Sequence, residues 1–169
     1  MLYQVDETIM LSGHGIGRIV ALVAKSFGTA KRQSYYEVVT ARSTVWVAVE
    51  TAEARGLRAL SSRAELDHCR DLLRSRPAPL LGDHLKRRQD LNARQRLGTL
   101  QAACELVRDL SARDSKVTLN DVEKTVLKGA QTVLCEEWAA VDGIPLPQAS
   151  SEVTALLQEG RQQSPGAEG

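Results

Sequence analysis

The feature that most constrains this chain is a change of hydrophobic period near residue 57. Before it, apolar residues alternate at the two-residue spacing of strands; after it, they recur every three or four residues, as on amphipathic helices. A 169-residue chain divided this way is predicted to be α+β, with a small β-barrel followed by a compact all-helical domain. The segments ETIML, GIGRIVALVAK, SYYEVV and TVWVAVE read as strands. Short strands packed this closely suit a strongly bent sheet or SH3-like barrel over residues 1–57. Within TVWVAVE, Val45, Val47 and Val49 share one face and Trp46 takes the other. Two readings of an outward Trp46 stay open: it packs beneath the segment Ala52 to Leu57, or it anchors a partner protein beside an edge strand.

Residues 58–160 carry the helical signals. Ser62 stands three residues before Glu65, a capping-box pattern, and Pro77 and Pro79 mark the end of that helix. A second helix is predicted from Asp83 to Leu97, stopping at Gly98. Thr99 caps a third, whose stripe is Leu100, Ala103, Cys104, Val107 and Leu110. A fourth starts near Thr118 or Asn120 and carries Val122, Val126, Leu127, Ala130, Val133, Leu134 and Trp138 before Gly143 and Pro145. A last short helix is expected over Ser150 to Leu157. The end of the chain, residues 161–169, is expected to be disordered because it lacks apolar residues.

Several function classes find no support. The stretch LSGHGIGRIV spaces Gly13, Gly15 and Gly17 by two, but a phosphate loop needs a helix start directly after its glycines, and a β-rich run follows instead. These glycines read as a turn between strands. His14, His68 and His84 are scattered, Cys69 cannot be aimed at its neighbour His68 on a helix, and no catalytic constellation assembles. No metal site or cofactor is expected, and the protein is read as non-enzymatic. Cys69, Cys104 and Cys135 form no C-x-x-C pair and suggest a reducing compartment. No apolar run approaches the roughly 20 residues of a membrane span, and MLYQVDETIM lacks a secretory signal, so a cytoplasmic monomer is expected.

Charge is informative through its distribution. The net charge is +1 overall, yet the balance is +1 over residues 1–57, +4 over residues 58–115 and −4 over residues 116–169. The basic excess centres on DHLKRRQDLNARQRL, with Lys86, Arg87, Arg88, Arg94 and Arg96. Such a helix start can hold DNA phosphates, and it equally suits a solvated basic face.

The whole pattern resembles the CarD/CdnL family of bacterial RNA polymerase-binding transcription factors. The resemblance rests on YQVDETIML, GHGIGRI, SYYEVV, TVWVAVETAEARGLR, KRRQ, ELVRDLSARD and LNDVEKTVLKGAQTVLCEE, in that order from Tyr3 to Glu137. It implies a Tudor-like N-terminal domain that docks on the polymerase β subunit by extending a sheet, and a helical domain that meets promoter DNA and stabilises the open complex. In the family, a Trp at the start of the second helix wedges into the minor groove, with basic residues just after it on phosphates. The aligned wedge position here is His84, the basic stretch is Lys86, Arg87 and Arg88, and Lys124 and Lys128 match a second basic patch. For polymerase contact the resemblance points to Lys25, with Val45, Trp46 and Val47 on the docking strand. The chain departs from the family in carrying Asp6-Glu7 for Gly-Asp, Leu11-Ser12 for Tyr-Pro and Val47-Ala48 for Val-Pro. A protein-interaction adaptor, bound through the Trp46 strand and without a working DNA wedge, is the alternative.

Overall fold

A computed structural model describes residues 2–26, 28 and 31–162. The chain divides into two compact units between Leu60 and Ser61. The first is a five-stranded antiparallel sheet of β1 (Thr8–Leu11), β2 (Gly15–Lys25), β3 (Gln33–Thr40), β4 (Thr44–Ala48) and β5 (Leu57–Ala59), in the order β4-β3-β2-β1-β5. A strand at Leu57–Ala59, pairing with β1, was not foreseen, and it carries the sheet past residue 57. Val49 and Glu50, expected to continue β4, belong instead to a 3-10 turn, Val49–Thr51.

The inward face holds Ile9, Leu11, Ile19, Tyr36, Val38, Val47, Ala52 and Leu57 in one cluster. Tyr3 closes it: its N–H donates to Tyr36 Oη at 3.0 Å, its hydroxyl donates to Leu57 O at 3.3 Å, and the two rings meet edge to face. The three glycines divide by role. Gly13 and Gly15 have φ of 80° and 84°, as the turn between strands requires, whereas Gly17 is needed for space. A Cβ there would lie 2.7 Å from Val38 Cγ1.

The second unit comprises α1 (Arg63–Arg74), α2 (His84–Leu97), α3 (Leu100–Asp114), α4 (Asp121–Asp142) and α5 (Leu146–Gln162). Each of the first four starts on the cap its sequence announces. Ser62 and Asn120 form full capping boxes with Glu65 and Glu123, while Asp83 and Thr99 accept from Lys86 N and Ala102 N. Gly98 and Gly143 end α2 and α4 in left-handed conformation. Leu66, Leu73, Cys69, Cys104, Leu110, Leu134 and Trp138 are fully buried in one core, and all three cysteines are free. A hydrogen bond from the Cys104 thiol to Cys69, with burial, pushes that thiol far up, so it behaves as an apolar core group.

The last helix is longer than its apolar spacing suggested. Pro147 sits in its first turn, where no backbone donor is required, and its final turn takes in Arg161 and Gln162. The remaining residues expected to be disordered, 163–169, lie outside the described residues. Gly160 permits the extension: a Cβ there would stand 2.8 Å from the carbonyl oxygens of both Leu73 and Ser75 at the end of α1. Backbone oxygens cannot swing aside as side chains do. Gly160→Ala is therefore expected to destabilise the protein by roughly 1–3 kcal/mol, despite alanine's better helix propensity, as measured by urea unfolding.

Candidate functional site

Two places collect the residues singled out from the sequence, one in each unit. In the sheet, β2 pairs Ile19 with Val38 but Ala21 with Glu37, so Val20 is an extra residue. Plain alternation from Ile19 would send Ala21, Val23 and Lys25 inward. The bulge instead places them on the face of Glu37, whose partner on β4 is Trp46. Lys25 Nζ consequently lies 3.8 Å from the centre of the Trp46 ring. Trp46 is 42% exposed and is not covered by the segment Ala52 to Leu57, since Ala52 and Leu57 fill the opposite, inward face.

Val47 is only 3% exposed and Val45 packs beside it against the core. Neither offers a free side chain to a partner; what they present is backbone, because β4 ends the sheet and pairs on one side only, with β3, among the described residues. Asp6, where the resembling family has glycine, adopts φ 73°, and its N–H donates to Ile19 O at 2.6 Å. Asp is among the few residues that take this conformation without a large penalty.

The second place is the start of α2. Arg87, expected among the phosphate-gripping cations, is buried at 7% exposure. Its Nε donates to Glu123 Oε1 at 2.8 Å, and its Nη1 donates to Leu81 O at 3.1 Å and Gly82 O at 3.2 Å. Its Nη2 lies 3.4 Å from His84 Nδ1. Glu123, itself 3% exposed, also accepts from Asn120 N, and Arg113 Nε stands 3.5 Å from its Oε2. Arg87 is thus a structural brace and not a surface cation. Sequence reasoning placed it outward because it sits within a basic run, yet it lies one turn before the buried Leu91, and only the carboxylate of a distant helix explains its burial.

Arg94 shares that side, as the helical spacing implied, and is half-buried, paired with Asp90 at 3.2 Å and Asp109 at 3.0 Å. Asp109 accepts as well from Arg108 Nε at 2.8 Å and Ala78 N at 3.0 Å. The connector between α1 and α2 is held at both ends by buried carboxylates, directly by Asp109 and through Arg87 by Glu123. Both ends depend on side chains far away in sequence.

Around this brace, His84, Leu85, Lys86 and Arg88 are exposed. Lys86 and Arg88 are two residues apart, about 200° around the helix, so they flank the buried Arg87 on opposite sides. Leu85 is 62% exposed and Leu81, in the connector, 49%. Sequence reasoning missed this apolar pair, for which the only signal was a leucine out of phase with the buried stripe. His84, Arg88 and Leu91 line a groove of about 200 Å³ with the start of α4, Asn120 to Glu123. Lys124 and Lys128 are exposed one turn apart on α4, and Lys124 follows the groove-lining Asp121 by three residues, on the same side of the helix.

Residues 69–154 match the family model described as CarD, C-terminal domain. The chain belongs to the CarD family. A CarD-family relationship also fits its likeness to the putative transcription factor YdeB of Bacillus subtilis (strain 168), 26% identical over 152 residues that span 89% of this chain and 99% of that protein. Among the described residues no group of three or more His, Cys, Asp or Glu could hold a metal ion, and no helix is long and apolar enough to cross a membrane.

Burial pushes the Glu123 carboxyl up, but the Arg87 hydrogen bond, the Asn120 backbone and the nearby Arg113 outweigh it, leaving the group below its usual value of 4.5. A depressed folded value means stability that is present above pH 4.5 and lost as pH falls through the folded value. Glu123→Gln is expected to cost about 3 kcal/mol at neutral pH by leaving Arg87 buried without its counter-charge, and to flatten that acid limb. Denaturant unfolding from pH 7 to pH 3 measures both effects.

Proposed function

We propose that this CarD-family protein is a non-enzymatic transcription regulator that docks on the RNA polymerase β subunit through the β4 edge and meets promoter DNA through the start of α2. A role in transcription follows from the family and from the name of the Bacillus relative. One observation carries the DNA half of the reading. The first turn of α2 presents an exposed leucine beside exposed cations, on a helix start whose connector is locked by buried ion pairs.

Held in this way, the turn meets DNA without first being ordered, so little conformational entropy is lost on contact. Lys86 and Arg88 suit phosphates on either side, and Leu85 is the apolar side chain available to lean into an opened base step. The wedge position read from the sequence as His84 is therefore shared with Leu85. Arg87 acts by placing them and not by touching phosphate; Lys124 and Lys128 are further exposed cations, one turn apart on α4.

On the sheet, Trp46 and Lys25 together make an aromatic and cationic surface directly beside unpaired β4 backbone, a combination suited to an added strand with side-chain anchoring. Binding to the isolated β lobe and to a forked promoter duplex tests the division. Trp46→Ala is expected to weaken lobe binding by roughly tenfold or more and leave DNA binding intact. Lys86→Glu should do the reverse, lowering the salt slope of DNA binding by about one. Loss of both activities in either variant would refute separate surfaces, and wild-type binding to the lobe but not to DNA would favour the adaptor reading.

A further inference from the structure

We infer that His84 is a hydrogen-bond donor of fixed direction that favours A·T over G·C base pairs in the minor groove. The inference rests on the DNA reading above and adds base preference to a surface so far described only by shape and charge.

Its basis is the contact between His84 Nδ1 and Arg87 Nη2 at 3.4 Å. A guanidinium has N–H donors and no acceptor, so the contact requires a lone pair on Nδ1, and the ring proton then resides on Nε2. Arg87 cannot turn away to relax this, since its other nitrogens are held by Glu123, Leu81 O and Gly82 O. The imidazole is exposed, and no other hydrogen bond of the ring occurs among the described residues. Of the acids near it, Asp83 accepts from Lys86 N and Glu123 is taken by Arg87 and Asn120, while Asp121, which lines the same groove, makes no hydrogen bond to the ring. The Nε2–H thus remains for an outside acceptor.

The minor groove supplies such acceptors. A·T pairs offer adenine N3 and thymine O2 only, whereas a G·C pair adds the guanine 2-amino donor, which opposes an incoming N–H. A lone donor held in one direction distinguishes the two; Leu85 beside it contributes contact without base preference, and Lys86 and Arg88 contribute charge.

The test measures equilibrium binding of the full chain to three forked duplexes, made of A·T, G·C or inosine·C pairs. Inosine lacks only the 2-amino group. The wild type is expected to bind A·T and inosine·C roughly fivefold more tightly than G·C, the size of one net hydrogen bond. His84→Phe, an exposed position where folding is checked by melting, is expected to lose that preference while keeping the wild-type salt slope. Equal wild-type affinity for inosine·C and G·C, with ordinary salt dependence, would overturn the donor role and leave the DNA reading standing. A preference that survives in His84→Phe would assign it to groove shape and also overturn the role. Absence of salt-sensitive binding to any duplex would overturn the DNA reading itself.

Discussion

The helical unit depends on one buried ion pair, Arg87 with Glu123. Its two members come from different helices and each has a second task. Glu123 is the N3 residue of the α4 capping box, and Arg87 holds the connector carbonyls that lead into α2. Removing either charge would leave the other buried and unpaired, a larger penalty than the pair's net contribution to stability. The pair therefore specifies which way α2 begins more than it adds to overall stability, and the exposed residues of the first turn inherit their directions from it.

The same logic recurs at Asp109, which gathers Arg94, Arg108 and the backbone of Ala78. Between these two carboxylates the connector, with its two prolines and a glycine, has little freedom left. A rigid approach to the helix matters because the directions of the exposed first-turn side chains hold only if their base cannot drift. In the sheet, rigidity of another kind is used: one extra residue in β2 turns three side chains to the opposite face and brings Lys25 onto Trp46.

Much of this was legible in the sequence because it is written in local rules. Helix starts at Ser62, Asp83, Thr99 and Asn120, stops at Gly98 and Gly143, and the strand-forming run from Gly15 to Lys25 all act over a few residues. The α+β class followed from them. What escaped was set by distant partners. Leu57–Ala59 becomes a strand because β1 offers an edge, Gly160 lies within a helix because α1 carbonyls crowd it, and Arg87 is buried because Glu123 awaits it from 36 residues away. Within the candidate site the detail was not legible: a basic run does not reveal which of its members points inward, and Leu85 stood unnoticed among charges.

The two tryptophans fall one to each unit, in opposite surroundings. Trp46 is half in solvent beneath an ammonium group, and Trp138 is wholly enclosed, with Arg70 4.9 Å from the centre of its ring. Their emission consequently separates by colour and by access to a dissolved quencher. The protein carries its own pair of optical labels: one senses what settles on the sheet, and the other whether the helical core remains closed.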